Sequence, residues 1–252
     1  MNRYVVKLAF KGTLYKGWQR QPNGITVQQI LEEALSMMLR ADIRLTGAGR
    51  TDTGVHADQY YAHFDSGKKL STDDLQGLTF KLNSYLPADI SISSMFSVNQ
   101  GFHARFTAKF RTYQYFIATV KNPFRYDVTH FMYGPIDIEL MNKGASMLLE
   151  TIDFTSFSKV NSDVRTNLCD VIHARWDKMD TELVFTITAN RFLRNMVRAI
   201  VGTLLDLGTG KMDLKELQQV IKSKNRSNAG DSFPAKGLHL VRIEYPDSFN
   251  TG

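Results

Sequence analysis

A chain of 252 residues with 43% hydrophobic and 22% charged side chains can fill one large globular domain or two small ones, which excludes a disordered polypeptide. Lys and Arg exceed Asp and Glu by 31 − 25 = +6, with a pI near 9.3, which tilts the expected partner towards a polyanion, most often nucleic acid. Cys169 is the single cysteine, so an internal disulfide and a cysteine zinc cluster are excluded. No apolar run approaches the roughly 20 residues that span a bilayer, and no signal-peptide core precedes the first strand pattern, so a cytoplasmic protein is expected.

Tyr4, Val6, Leu8 and Phe10 alternate on one face and predict a half-buried strand. The loop after it, Lys11 to Pro22, mixes basic and aromatic residues, a composition suited to stacking and phosphate contact. Core packing is the alternative for its Trp18. Thr26 with Gln29 forms a capping-box pattern, and Val27, Ile30, Leu31, Ala34, Leu35 and Met38 follow helical spacing. A strand then leads into a loop, Gly47–Gln59, and Tyr60–Phe64 leaves it as a second strand. Three glycines in that loop suggest a sharply folded backbone held by a scaffold.

Asp74 to Tyr85 predicts a weaker helix and Ile90 to Val98 a strand. The aromatic and basic segment Phe102-His103-Ala104-Arg105-Phe106 precedes a further strand in which Tyr113 and Tyr115 share a face. The layout then recurs. Asp137 caps a helix containing Leu140, Met141, Ala145, Leu148 and Leu149, and strands follow at Val171–Trp176 and Leu183–Ala189. Arg191 to Leu205 is apolar enough for a core helix, with Arg191, Arg194 and Arg198 forming a stripe at i, i+3 and i+7. Arginines on a core helix must meet anions, because an unpaired buried charge is too costly. Asp213 and Glu216 form another capping-box pattern, for a helix ending near Ser223, and the chain closes on a strand after Gly237.

No phosphate-binding glycine loop, dinucleotide fingerprint or serine elbow is present. Asp52, His56 and Asp58 sketch a metal site, but their spacing matches no strong ligand pattern. A backbone hydrogen bond from His56 that holds the loop fits better. Asp52 lies two residues after Arg50, and a carboxylate facing a cation suits nucleophilic work or stabilisation of a developing cation. Glycosidases use such a carboxylate at a sugar C1′ together with a second, protonated acid. No second acid is evident here, which points to a reaction without external water.

Gly47-Ala48-Gly49-Arg50-Thr51-Asp52-Thr53-Gly54-Val55-His56-Ala57 resembles the signature of the bacterial tRNA pseudouridine synthase A family. Gly17-Trp18-Gln19-Arg20-Gln21, the Phe102–Phe106 segment with Arg111-Thr112-Tyr113-Gln114-Tyr115, Asp153-Phe154-Thr155-Ser156-Phe157, Phe192 to Arg198, and Gly237-Leu238-His239-Leu240 resemble its other motifs in order. Thr53 departs from the alanine more often expected, and Lys159–Asn167 matches loosely, with Arg165 as counterpart of a family arginine.

The resemblance implies an α+β fold of two similar α/β halves, residues 1–105 and 106–252. Each half is a mixed, mainly antiparallel sheet backed by helices, and the two flank a basic cleft. It implies isomerisation of uridine to pseudouridine at positions 38, 39 and 40 of the tRNA anticodon arm, by a homodimer that uses base flipping and needs no cofactor, metal or membrane. Asp52 would be the nucleophile, Arg198 its cationic partner, Tyr113 the stacking ring, Arg50 a clamp on the extruded nucleotide and Leu238 an apolar pocket wall. Lys16, Trp18, Arg20, Arg105, Arg165 and Arg194 would contact tRNA. Two other readings compete: a non-catalytic tRNA-binding module, which needs no loop carboxylate, and a metal-dependent RNA hydrolase using Asp52, His56 and Asp58.

Overall fold

The computed structural model describes residues 1–159 and 166–249. Among them are nine strands, mainly antiparallel, and five α-helices, divided between two compact units, 1–109 with 240–252 and 110–239.

In the first unit β1 (Asn2–Phe10) is the inner strand, antiparallel to β3 (His56–Ser66) on one side and β4 (Ile90–Val98) on the other. Val5, on the face opposite Tyr4, Val6 and Leu8, is as buried as they are, so both faces of the sheet are covered at that point. The short β2 (Thr46–Gly47) pairs with β3 at His63 and Ala62.

Helix α1 (Val27–Leu39) starts at Thr26, whose hydroxyl accepts the Gln29 N–H at 3.3 Å. The reciprocal half of the expected box is missing, because the Gln29 side chain donates to Glu33 instead. Val27, Leu31, Ala34 and Leu35 are buried, as their spacing predicts. Helix α2 (Thr72–Tyr85) has a complete capping box between Ser71 and Asp74. The final strand, β9 (Leu238–Glu244), lies beside β3, and Ile243 N–H donates to Gln59 Oε1 at 2.8 Å. The residues from Leu240 onward therefore belong with the first unit, although the sequence order places them in the second half.

In the second unit β5 (Phe110–Ala118) pairs antiparallel with β8 (Glu182–Ala189), and β8 with β7 (Val171–Met179); the two-residue β6 (His130–Phe131) runs parallel to β5. Helix α3 (Ile138–Met147) is capped by Asp137, and its Asn142 side chain bonds both backbone groups of Trp176. Helix α4 (Met196–Gly208) is the core of this unit and buries Met196, Val197, Ala199, Ile200, Val201, Leu204 and Leu205. Gly144 of α3 lets the helices meet: a Cβ there would strike Leu204, Leu207 and Leu217. Helix α5 (Leu214–Ser223) has the capping box expected from Asp213 and Glu216. No helix among the described residues is long and apolar enough to cross a membrane.

Candidate functional site

The loop between β2 and β3 is fixed on two sides by residues of the first unit. Trp18 is only 2% exposed and lies against Tyr60, ring centroids 4.2 Å apart, with Phe10 at 6.2 Å. Of the two alternatives for Trp18, core packing is the observed one, so the ring shapes the loop and offers no open face for a base. Gly47 lies against the polar edges of both rings, and a Cβ on it would collide with the Trp18 indole nitrogen and the Tyr60 hydroxyl. The Tyr60 hydroxyl donates to the Gly49 carbonyl and accepts its N–H.

On the other side the Lys11–Trp18 segment grips the turn. Val55 N–H donates to the Asp52 carbonyl at 3.1 Å, closing a turn that needs the positive φ of Gly54 (80°). Gly12 N–H donates to His56 Nδ1 at 3.0 Å inside the core, so His56 does hold the loop through a backbone bond. Gly17 approaches Thr51 so closely that a Cβ would strike its carbonyl oxygen. Tyr15 anchors the gripping segment by donating to Asp89 Oδ1 at 2.5 Å. Burial, aided by that bond, pushes the phenol well above its ordinary pKa. Asp52 is half-buried on this turn and Arg50 is exposed just before it. A carboxylate on a backbone pinned from both flanks has the fixed geometry that a nucleophile or a charge-stabilising group requires.

The other basic residues of this unit differ in setting. Lys16 is exposed. Arg20 turns to α1, with Nε 3.4 Å from Glu32 and Nη2 3.3 Å from Glu33, so two carboxylates share its charge. Glu32 is 4% exposed and also accepts the Leu45 N–H at 2.9 Å, a structural anchor that the helical spacing alone does not reveal. Arg105 is exposed and lies 5.4 Å from the ring of Phe106, itself 74% exposed, a pairing suited to stacking on bases. Among the described residues no group of three or more His, Cys, Asp or Glu could hold a metal ion.

In the second unit Tyr113 is half-buried on β5, opposite Ile187, with the ring of Phe192 set edge-on at 5.1 Å. Tyr115, two residues on, is fully buried and donates to the Pro234 carbonyl at 2.7 Å.

The expected arginine stripe does not form. α4 begins only at Met196, because Asn195 takes the left-handed conformation (φ 67°) and ends any helix attempted from Arg191. Arg191 and Arg194 therefore precede the helix, and Arg198 alone of the three is on it. Arg194 is exposed, and its carbonyl accepts the Lys159 N–H at 3.1 Å. Arg198 is half-buried; its Nε donates to the Phe233 carbonyl at 2.5 Å, and Phe233 N–H donates back to the Arg198 carbonyl at 3.1 Å. Leu238 is 6% exposed at the start of β9, after a turn in which Gly237 packs against the Tyr115 ring. Arg165 lies outside the described residues. Asp153, of the expected Asp153–Phe157 motif, is structural: burial opposes its charge, but bonds from Lys224 (2.8 Å) and Thr155 outweigh this and lower its pKa. Tyr60 and Phe233 do not stand out in the sequence, because each looks like an ordinary core aromatic until its partner is known.

Comparison with known proteins identifies what the chain is similar to. A family model described as tRNA pseudouridine synthase matches residues 145–246. A relative named tRNA pseudouridine synthase A from Bacteroides thetaiotaomicron is 51% identical over 250 residues, covering 98% of this chain and 92% of its own. The protein of that name from Bacteroides fragilis is 49% identical over 248 residues, covering 98% and 97%. One from Thermoanaerobacter pseudethanolicus is 38% identical over 248 residues, covering 97% and 100%.

Proposed function

The chain belongs to the tRNA pseudouridine synthase A family, and from that membership we propose that it isomerises uridine to pseudouridine at positions 38, 39 and 40 of the tRNA anticodon arm. The observation that carries the reading is the likeness over 98% of the chain, joined to Asp52 on a turn pinned from both sides. In this reaction the N1–C1′ bond breaks, the uracil turns, and a C5–C1′ bond forms. The C5 proton leaves to solvent and N1 regains one, so no atom is gained or lost overall. A base stacked in a helix must be flipped out before C1′ and C5 can be reached.

Asp52 is the nucleophile or base of the reaction. Arg50 holds the extruded nucleotide and Tyr113 stacks on the target base. Leu238 forms the apolar wall, and Arg198 is the cation that serves Asp52. The exposed Lys16, Arg20, Arg105 and Arg194, with Arg165, are proposed tRNA contacts. We place the enzyme in the cytoplasm as a homodimer that needs no cofactor, as the resemblance implies.

The test is tritium release from tRNA carrying C5-labelled uridine, with EDTA present, for wild type, Asp52→Asn and Arg198→Ala. Wild type is expected to release tritium, and both variants to lose at least about a hundredfold in rate, on the scale of losing a group that acts in the transition state. No release by wild type, or full activity of Asp52→Asn at equal tRNA binding, would defeat the proposal. Cleavage of the tRNA without tritium release, abolished by EDTA, would favour the metal-dependent hydrolase instead.

A further inference from the structure

The segment after α5 is laid against α4 by backbone contacts that leave no room for side chains. A Cβ on Gly202 would strike the Asp231 carbonyl, and one on Gly230 would meet Thr203 and Asp206. Gly230 N–H donates to Thr203 Oγ1 at 2.9 Å. The same segment supplies the Phe233 carbonyl that receives Arg198 Nε, and its Phe233 ring is set edge-on to His130 at 4.9 Å and to Tyr115 at 6.0 Å.

Ser232, immediately before Phe233, is the joint. Its hydroxyl oxygen meets the side-chain amide of Asn195, the left-handed residue that starts α4, and accepts Arg226 Nη2 at 2.9 Å. Arg226 Nη1 also donates to the Ala229 carbonyl at 3.2 Å. One planar guanidinium thus ties both ends of the Ala229–Ser232 stretch. A lysine, a point charge on a flexible stem, cannot reproduce that fork.

We propose that Arg226 is a positioning residue for Arg198, acting through Ser232 to fix the Phe233 carbonyl that orients the Arg198 guanidinium. This rests on the assignment of Arg198 to the reaction. Arg226 lies 28 positions beyond Arg198 in the chain and belongs to none of the motifs that carry the family resemblance.

The experiment is single-turnover tritium release with enzyme in excess, for Arg226→Ala, Arg226→Lys and Ser232→Ala, each alone and combined with Arg198→Ala, with melting temperatures recorded. The expected result is a fall of about tenfold or more in the rate at saturation for both Arg226 variants, with half-saturation changed by less than about threefold, as misplacement of an active-site group produces. In the Arg198→Ala background the same changes should cost less than about twofold, because the group they position is gone. A raised half-saturation with an unchanged rate, a lysine variant as active as wild type, or full additivity with Arg198→Ala would overturn the proposal. If Arg198→Ala alone leaves the rate unchanged, it is the assignment of Arg198 that fails. Should Arg226→Ala not fold, the Ser232→Ala cycle decides by the same criteria.

Discussion

At Gly47 one methyl group decides whether the candidate loop can close. The three glycines that make the loop conspicuous in the sequence have different physical reasons. Gly54 supplies a positive φ; Gly47 is needed for the approach of Trp18 and Tyr60; Gly49 has neither a left-handed φ nor any atom within 4 Å of the place a Cβ would take. Gly47→Ala is therefore expected to destabilise by about 1–3 kcal/mol, the usual cost of overpacking a filled core. Gly49→Ala should stay within about 0.5 kcal/mol. Thermal melts of the two variants check this, and equal melting temperatures would refute the packing account. That a loop is shaped here was legible from glycine content. Which glycine serves which purpose was not, because Trp18 and Tyr60 reach Gly47 from positions that local sequence does not connect to it.

Strand β3 ties much of the first unit together through polar side chains along its length. His56 accepts Gly12 N–H near one end, Asp65 pairs with Arg3 at 2.7 Å near the other, and His63 between them accepts Ala104 N–H at 3.1 Å. Burial of His63, with Arg3 and His103 nearby and only Asp65 opposing them, lowers its pKa from 6.5 to about 4. The unfolded chain therefore takes up a proton between pH 6.5 and 4 that the folded chain refuses, and stability falls as pH drops through that window. The loss should approach roughly 2–3 kcal/mol by pH 4.5. His103 is lowered in the same direction, by burial and then by Arg3, so it adds to the slope. His63→Asn keeps an acceptor for Ala104 N–H but cannot titrate. Denaturant midpoints at pH 7.5 and 4.5 should differ less in this variant than in wild type, and an unchanged slope would remove His63 from the account. Elements of this kind were largely legible, since β1, α1 and α5 follow from apolar period and caps, although β3 begins at His56, within the stretch read as loop. The start of α4 was not: Asn195 breaks the helix through a bond to Ser232, thirty-seven positions away, which no helical pattern could announce.

At the scale of the whole chain, strands and helices recur in order along the sequence, but nothing in that order announces that the residues from Leu240 onward group with the first unit. Strand β9 has the same alternation whichever strand it lies beside, and its place next to β3, with the Ile243 N–H bond to Gln59, depends on residues far away in the chain. Charge works at this scale too. A surplus of six cations favours a sequence-independent attraction to RNA, which would steer encounter, while the chemistry is what we propose for the pinned loop. If Lys16, Arg50, Arg105 and Arg194 each neutralise one phosphate, the logarithm of tRNA affinity should fall with the logarithm of salt concentration at a slope of roughly −3 to −4. Between about 50 and 200 mM monovalent salt this weakens binding by about a hundredfold, while the single-turnover rate at saturating enzyme stays nearly constant. Arg105→Ala should reduce the slope by about one and leave that rate intact, since its guanidinium lies on an exposed Phe106 and is given no part in the reaction. Filter binding across a salt series measures both. A flat salt dependence, or a rate that collapses with Arg105→Ala, would show that recognition does not rest on these phosphate contacts.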